Sequence, residues 1–183
     1  MQIKNTSTSY GVVAITFHWL MAVLVIGMLC VGLYMVTLKF SPLKLELFRY
    51  HKEFGVLVLM LACLRLGWRL ANIVPAFPFT MPRWQQWAAH ASHYLLYVLI
   101  FAIPITGWLL TSAAGLLPSF FGLFVLPPLI APHKEWTHLF GIMHQWLAYS
   151  LIALLCAHIG AALEHHFVEK DDILTRMLKP KKN

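Results

Sequence analysis

Acidic side chains are scarce in this chain, with seven Asp and Glu against 14 Lys and Arg, and only 11% of its 183 residues are charged. With 60% hydrophobic residues and a mean hydropathy of +0.70, so little charge excludes an ordinary soluble domain, which could not bury that much apolar surface. Cysteine is rare as well. Cys30, Cys63 and Cys156 stand singly in apolar segments without CxxC spacing, and suggest neither a disulfide framework nor a zinc site. The net charge of +7 comes without a soluble basic domain or an aromatic platform, so nucleic acid is excluded as a partner. No internal repeat, low-complexity tract or second domain interrupts residues 1–183.

What is present is a set of long apolar runs. Four segments, roughly 12–38, 51–71, 88–112 and 139–167, reach the length of about 20 residues that crosses a bilayer core. The expectation is an all-α, integral membrane four-helix bundle. The first run follows the short polar MQIKNTSTSY and reads as a retained helix, since it exceeds a signal-peptide core and lacks a small-residue cleavage site. The stretch AAGLLPSFFGLFVLPPLIAP (113–132) is apolar enough for a fifth span, but its prolines and Gly122 make it an interfacial or partly re-entrant loop. Nine of the 14 lysines and arginines, including Lys4, Arg65, Arg69, Arg83, Lys170, Lys181 and Lys182, fall on the side of the termini. This bias predicts a multi-pass membrane protein with both termini in the cytoplasm. The KPKKN tail would hold that end against anionic lipid.

Histidine is the residue these runs have in excess. Ten occur, most in or beside the predicted helices, where ring nitrogens need partners that hydrocarbon cannot supply. In MHQWLAYSLIALLCAHIGAALEHHF (143–167), His144 and His158 are fourteen residues apart, a rotation of about 40° and a rise of about 21 Å. They share one face near opposite leaflets. His165 falls on that face at the cytoplasmic end. Depth pairs His18, two turns into the first helix, with His158, and His51, opening the second, with His144. Opposed neutral imidazoles inside a helical bundle suit six-coordinate haem iron, and without CxxCH such haem is b-type and non-covalent. Small residues one turn from each ligand (Gly55, Ala148, Ala162 and Ala14) fit a flat macrocycle. Two haems in the bundle core, one at each leaflet, make a two-stop electron route. A histidine-lined metal transporter without haem is the competing class, but it predicts carboxylates in the bundle and the spans have almost none.

These motifs place the chain beside a known family. FHWLMAV at His18, YHKEFGVLVLMLACLRLGWRL from Tyr50, AAHASHYLLYVLIFAIPITGWL from Ala88 and the 143–167 segment followed by KDDILTRML resemble the small prokaryotic cytochrome b561 family over nearly the whole length. The resemblance implies a four-helix, di-haem membrane oxidoreductase with the same ligand pairs, His18 with His158 and His51 with His144. It also implies exchange with the membrane quinone pool, with superoxide oxidised on the outer face and ubiquinone reduced at the other haem. His93 and His165, at the inner helix ends, are then the candidates for the quinone site, as hydrogen-bond donors that can also move protons. Arg49 and Lys52 would balance haem propionates or steer a small anion toward the outer haem. A homodimer or a partner oxidoreductase is the assembly left open, including an anchor that relays electrons for a soluble dehydrogenase.

Overall fold

A computed structural model describes residues 2–179. The tail residues Lys181 and Lys182, counted above toward orientation and lipid contact, lie outside the described residues. Four long helices form the body: α1 (Val12–Thr37), α2 (Pro42–Leu70), α3 (Arg83–Ala113) and α4 (Lys134–Glu164). A two-stranded hairpin, β1 (Ser119–Phe120) with β2 (Phe124–Val125), sits between α3 and α4, and a π turn over His165–Glu169 leads to the short α5 (Ile173–Leu178).

The helices alternate in direction. His18, early in α1, meets His158, late in α4, while His51, early in α2, meets His144, early in α4. The result is an all-α membrane bundle whose small core is Met21 and Val25 from α1, Val58 and Ala62 from α2, Leu96 and Leu99 from α3, and Leu151 from α4. The rest of the apolar surface faces outward. Only 6% of the most apolar window of α4 is buried, and Val23, Leu64 and Trp146 are exposed, an arrangement stable only where the solvent is lipid.

Among the described residues three helices are long and apolar enough to cross a membrane: α1, α3, and α4 continued through Glu169. The second predicted span does not meet the same measure, because Glu53, Arg65 and Arg69 punctuate its apolar run. These charges are met within the protein. Glu53 is 3% exposed and bonded to Arg49, and Arg65 reaches His18 and Tyr97. Charge of this kind is carried inside a bundle, not against lipid. The helix also starts nine residues before the predicted 51. Ser41 caps it, its Oγ accepting from Lys44 N at 3.2 Å, and Pro42 occupies the first turn. Hydropathy sees only the apolar part of such a helix.

The 113–132 stretch forms no fifth helix. α3 ends in a left-handed Gly115 (φ 73°), with Leu116 N donating to Thr111 O at 3.0 Å and Gly115 N to Ser112 O at 2.9 Å. That pattern closes a helix and requires a residue without Cβ strain. The chain then turns at Phe121 and Gly122, both at positive φ, and Phe121 packs edge-on against Phe54 of α2 at 5.1 Å. His133 N donates to Ala113 O at 2.9 Å, closing the loop across the helix ends. We call this the loop end of the bundle. At the opposite, terminal end, the chain before α1, α1 itself, the 71–82 connection and α5 are tied together by Asn5 to Ile73 O, Trp19 to Met177 O and Arg176 to Ala76 O.

Candidate functional site: two histidine pairs along the bundle axis

At the loop end the rings of His51 and His144 are 6.2 Å apart between centres, inclined at 78°. His144 is firmly placed. Its Nδ1 donates to Ile103 O at 3.0 Å and lies 3.3 Å from Thr106 Oγ1, and Thr106 itself donates back to Ile103 O at 2.8 Å. A proton held on Nδ1 leaves the Nε2 lone pair available, the arrangement a metal-binding histidine uses. Nδ1 of His51 is buried and has no hydrogen-bond partner among the described residues. Two glycines make room for these rings. A Cβ at Gly32 of α1 would lie 3.1 Å from His51 Cε1, and one at Gly107 of α3 would lie 3.2 Å from His144 Cε1. Gly55, expected to serve His51, instead faces Met28 Cε at 3.8 Å. The clearance comes from the helix opposite each ring, because that is the side on which a ring and anything stacked beside it must fit.

At the terminal end His18 and His158 are 6.3 Å apart and inclined at 57°. Arg65 Nη2 lies 3.2 Å from His18 Nδ1 and its Nε donates to Tyr97 Oη at 3.3 Å. A guanidinium only donates, so here His18 Nδ1 accepts and the imidazole proton resides on Nε2. The loop-end pair is therefore prepared for a metal more directly than this one. His93 joins the same level, its ring 5.5 Å from that of His158 and its Nδ1 donating to Ala89 O at 2.7 Å. Arg65 and Arg69 both lie against the Tyr97 ring, at 6.0 and 5.6 Å. Outside the membrane segments, burial pushes the phenol of Tyr10 up, against the opposing pull of Arg69, Arg176 and Arg65.

His165 stands apart from these rings, in the π turn. Its Nδ1 donates to Asp171 Oδ2 at 2.6 Å, with both side chains buried. Neither that carboxylate nor the glycines opposite the rings were singled out by sequence patterns, although KDD (170–172), separated from HHF by two residues, places acid near His165. At the loop end, Arg49 is bound to Glu53 at 3.1 Å and lies 3.7 Å from Glu46, so its charge is largely spent. Lys52 has no carboxylate partner among the described residues. With Arg49, Glu53, Leu117, Ser119, Phe121 and Gly122 it lines a cavity of about 600 Å³. His90 stacks edge-on with Phe77, and His133 with Trp136 at the start of α4.

Among the described residues no three His, Cys, Asp or Glu side chains converge as a bare-ion site. The site is made of pairs. A family model described as prokaryotic cytochrome b561 matches residues 9–180. Cytochrome b561 homolog 2 of Escherichia coli (strain K12) is 39% identical over 97% of this chain and 95% of its own length. Cytochrome b561 homolog 1 of the same organism is 34% identical over 72% of this chain and 74% of its own. A Yersinia pestis protein named probable superoxide oxidase CybB is 30% identical over 94% of this chain and 97% of its own.

Proposed function

The chain belongs to the prokaryotic cytochrome b561 family, a family of membrane electron-transfer proteins with b-type haem, and from that premise we propose that it carries single electrons through two haems to a membrane quinone. The observation that carries the reading is the spacing of the two histidine pairs. About 2 Å for each nitrogen–metal bond and a little over 1 Å from each nitrogen to its ring centre put two trans imidazoles about 6.2 Å apart between centres. The pairs lie at 6.2 and 6.3 Å. A bare transition ion asks the protein for three or four ligands, whereas a haem supplies four of its own and asks for two. Pairs without a third ligand favour the haem.

His51 and His144 would hold one haem, with the Ile103 carbonyl orienting His144 and Gly32 and Gly107 leaving room beside the rings. His18 and His158 would hold the other. For His18 to offer its Nε2 lone pair the imidazole proton would sit on Nδ1, and Arg65 would give up its bond there. Held between two protein imidazoles, a haem would supply one-electron transfer and not oxygen binding.

Superoxide is the donor, at the loop end. The support is the name of the Yersinia pestis relative together with Lys52, a cation without a carboxylate partner at the mouth of the 600 Å³ cavity. Ubiquinone is the acceptor at the terminal end, with His165 and His93 as its proton-handling groups. Arg65, Arg69, Lys170 and Arg176 gather at the terminal end, which supports a cytoplasmic placement of that end in a bacterial inner membrane. The test is a reduced-minus-oxidised visible spectrum of the purified protein, followed by stopped-flow mixing with superoxide with and without quinone. Two low-spin b-type haems per chain and quinone-dependent turnover are expected. A colourless protein ends the reading, and haem reduction by superoxide without quinol formation ends its acceptor half.

A further inference from the structure

We propose that Asp171 is a positioning residue that fixes the proton of His165 for delivery to a quinone carbonyl, an inference that rests on the reading of His165 as part of the quinone site. Six residues along a regular α-helix, two side chains are rotated by about 240° and separated by about 9 Å along the axis, so they cannot meet. They meet here because α4 abandons α-helical geometry at His165. The π turn runs over His165–Glu169, Lys170 adopts a left-handed conformation (φ 55°), and Asp171 N returns to donate to His165 O at 3.1 Å. Such single π turns recur at functional sites, and a left-handed non-glycine residue marks a backbone held by its surroundings.

Both carboxylate oxygens of Asp171 are used. Oδ2 accepts from His165 Nδ1 at 2.6 Å, and Oδ1 accepts from Ile173 N at 3.0 Å at the start of α5. The two side chains are 8% and 14% exposed, so water competes little for the bond. An ionised carboxylate only accepts, which keeps a proton on Nδ1 and leaves Nε2 as the atom that exchanges protons outward. His165 Nε2 makes no hydrogen bond among the described residues, and Asp171 sets the ring plane in which it points.

The reaction served balances as follows. Two superoxide ions each lose one electron and leave as dioxygen. The quinone takes those two electrons and two protons to become quinol, one proton on each oxygen. One of the protons moves from Nε2 of the His165 imidazolium to a carbonyl oxygen, leaving the neutral ring with its Nδ1 proton still hydrogen-bonded to Asp171; the other comes from water at the terminal end, which also restores the Nε2 proton. The carboxylate steadies the imidazolium and returns the ring to the same tautomer each cycle.

Asp171→Asn separates this role from a merely structural one. The amide oxygen still caps Ile173 N, but the amide nitrogen facing His165 donates to Nδ1 and drives the ring proton to Nε2. Asp171→Glu keeps a carboxylate. In the haem-loaded full chain, reduction of a short-chain ubiquinone by superoxide is measured as separate kcat and KM values, with haem spectra as the assembly control. The expected result is a kcat lower by roughly tenfold to a hundredfold in Asp171→Asn, an unaltered haem spectrum, and recovery toward wild type in Asp171→Glu. If His165→Ala is slow but Asp171→Asn turns over like wild type, the positioning role is overturned and the quinone reading stands. If His165→Ala itself turns over like wild type, the quinone reading falls and takes the positioning role with it. Equal slowing in both Asp171 variants with disturbed haem spectra makes the pair a clasp for α5 only. Should Asp171→Asn not assemble, nitrogen NMR of histidine-labelled wild type decides, since a proton found on Nε2 with Nδ1 bare overturns the proposal.

Discussion

Gly32→Ala tests the loop-end haem site through a residue that ligates nothing. The added methyl would lie 3.1 Å from His51 Cε1, 3.8 Å from Nδ1 and 3.9 Å from Nε2. Carbon atoms settle about 3.5–4.0 Å apart, so ring and methyl must separate by roughly 0.5 Å. A metal–nitrogen bond tolerates about 0.2 Å, and His144 opposite is pinned by the Ile103 carbonyl and cannot follow. Helix propensity runs the other way, since alanine in place of glycine favours an exposed helix interior by about 1 kcal/mol. The two effects separate experimentally. The haem-free chain should unfold at the same temperature or slightly higher, while loop-end haem occupancy falls, read as haem per chain from the reduced-minus-oxidised spectrum. Gly27→Ala, five residues earlier in α1 with no atom within 4 Å of its new methyl, is the control and should leave both haems in place. Full occupancy and an unchanged spectrum in Gly32→Ala would refute the claim that His51 is held in a ligating position by that clearance.

His51→Ala or His144→Ala should remove the loop-end haem alone, and His18→Ala or His158→Ala the terminal-end haem alone; any one of these retaining two full haems would break its pair. Lys52→Ser should slow haem reduction by superoxide at low ionic strength and lose that effect in high salt, as a steering charge does, whereas a salt-independent rate would assign Lys52 no part in capture. Tyr10, whose phenol is raised by burial above 10.0, keeps its proton in the folded chain when the unfolded chain has begun to lose it. Its contribution to stability is therefore whole below pH 10.0 and drains away above it. Thermal unfolding in detergent should show that alkaline decline, and Tyr10→Phe should flatten it; an identical decline in the variant would place its cause elsewhere.

The pairing of His18 with His158 and of His51 with His144 is legible in the sequence because depth along a spanning helix is simple arithmetic and the apolar runs fix where each helix lies. Azimuth is harder to read. Gly32 and Gly107 matter only once it is known which face of α1 turns toward α2, and which of α3 toward α4, so the glycine nearest in sequence, Gly55, drew attention that belonged across the interface. The early start of α2 is written in Ser41 and Pro42, but a cap signal carries no hydropathy and is hidden by the run that follows. The charges within α2 conceal the helix from an apolarity measure for the opposite reason, since their partners Arg49, Tyr97 and His18 come from positions that hydropathy does not weigh. The bond between His165 and Asp171 could not be anticipated, because it exists only where the helix widens by one residue into a π turn.

The early start of α2 has a consequence for traffic. Nine residues of helix stand before His51, about 13 Å of extra height, and that stalk bears Lys44, Glu46 and Arg49 and continues into the turn on which the hairpin leans. If the chain works as proposed, a shaft that tall holds one doorway in water for a guest too polar to dissolve in lipid and leaves the opposite doorway level with the bilayer, so the two visitors need not share a threshold.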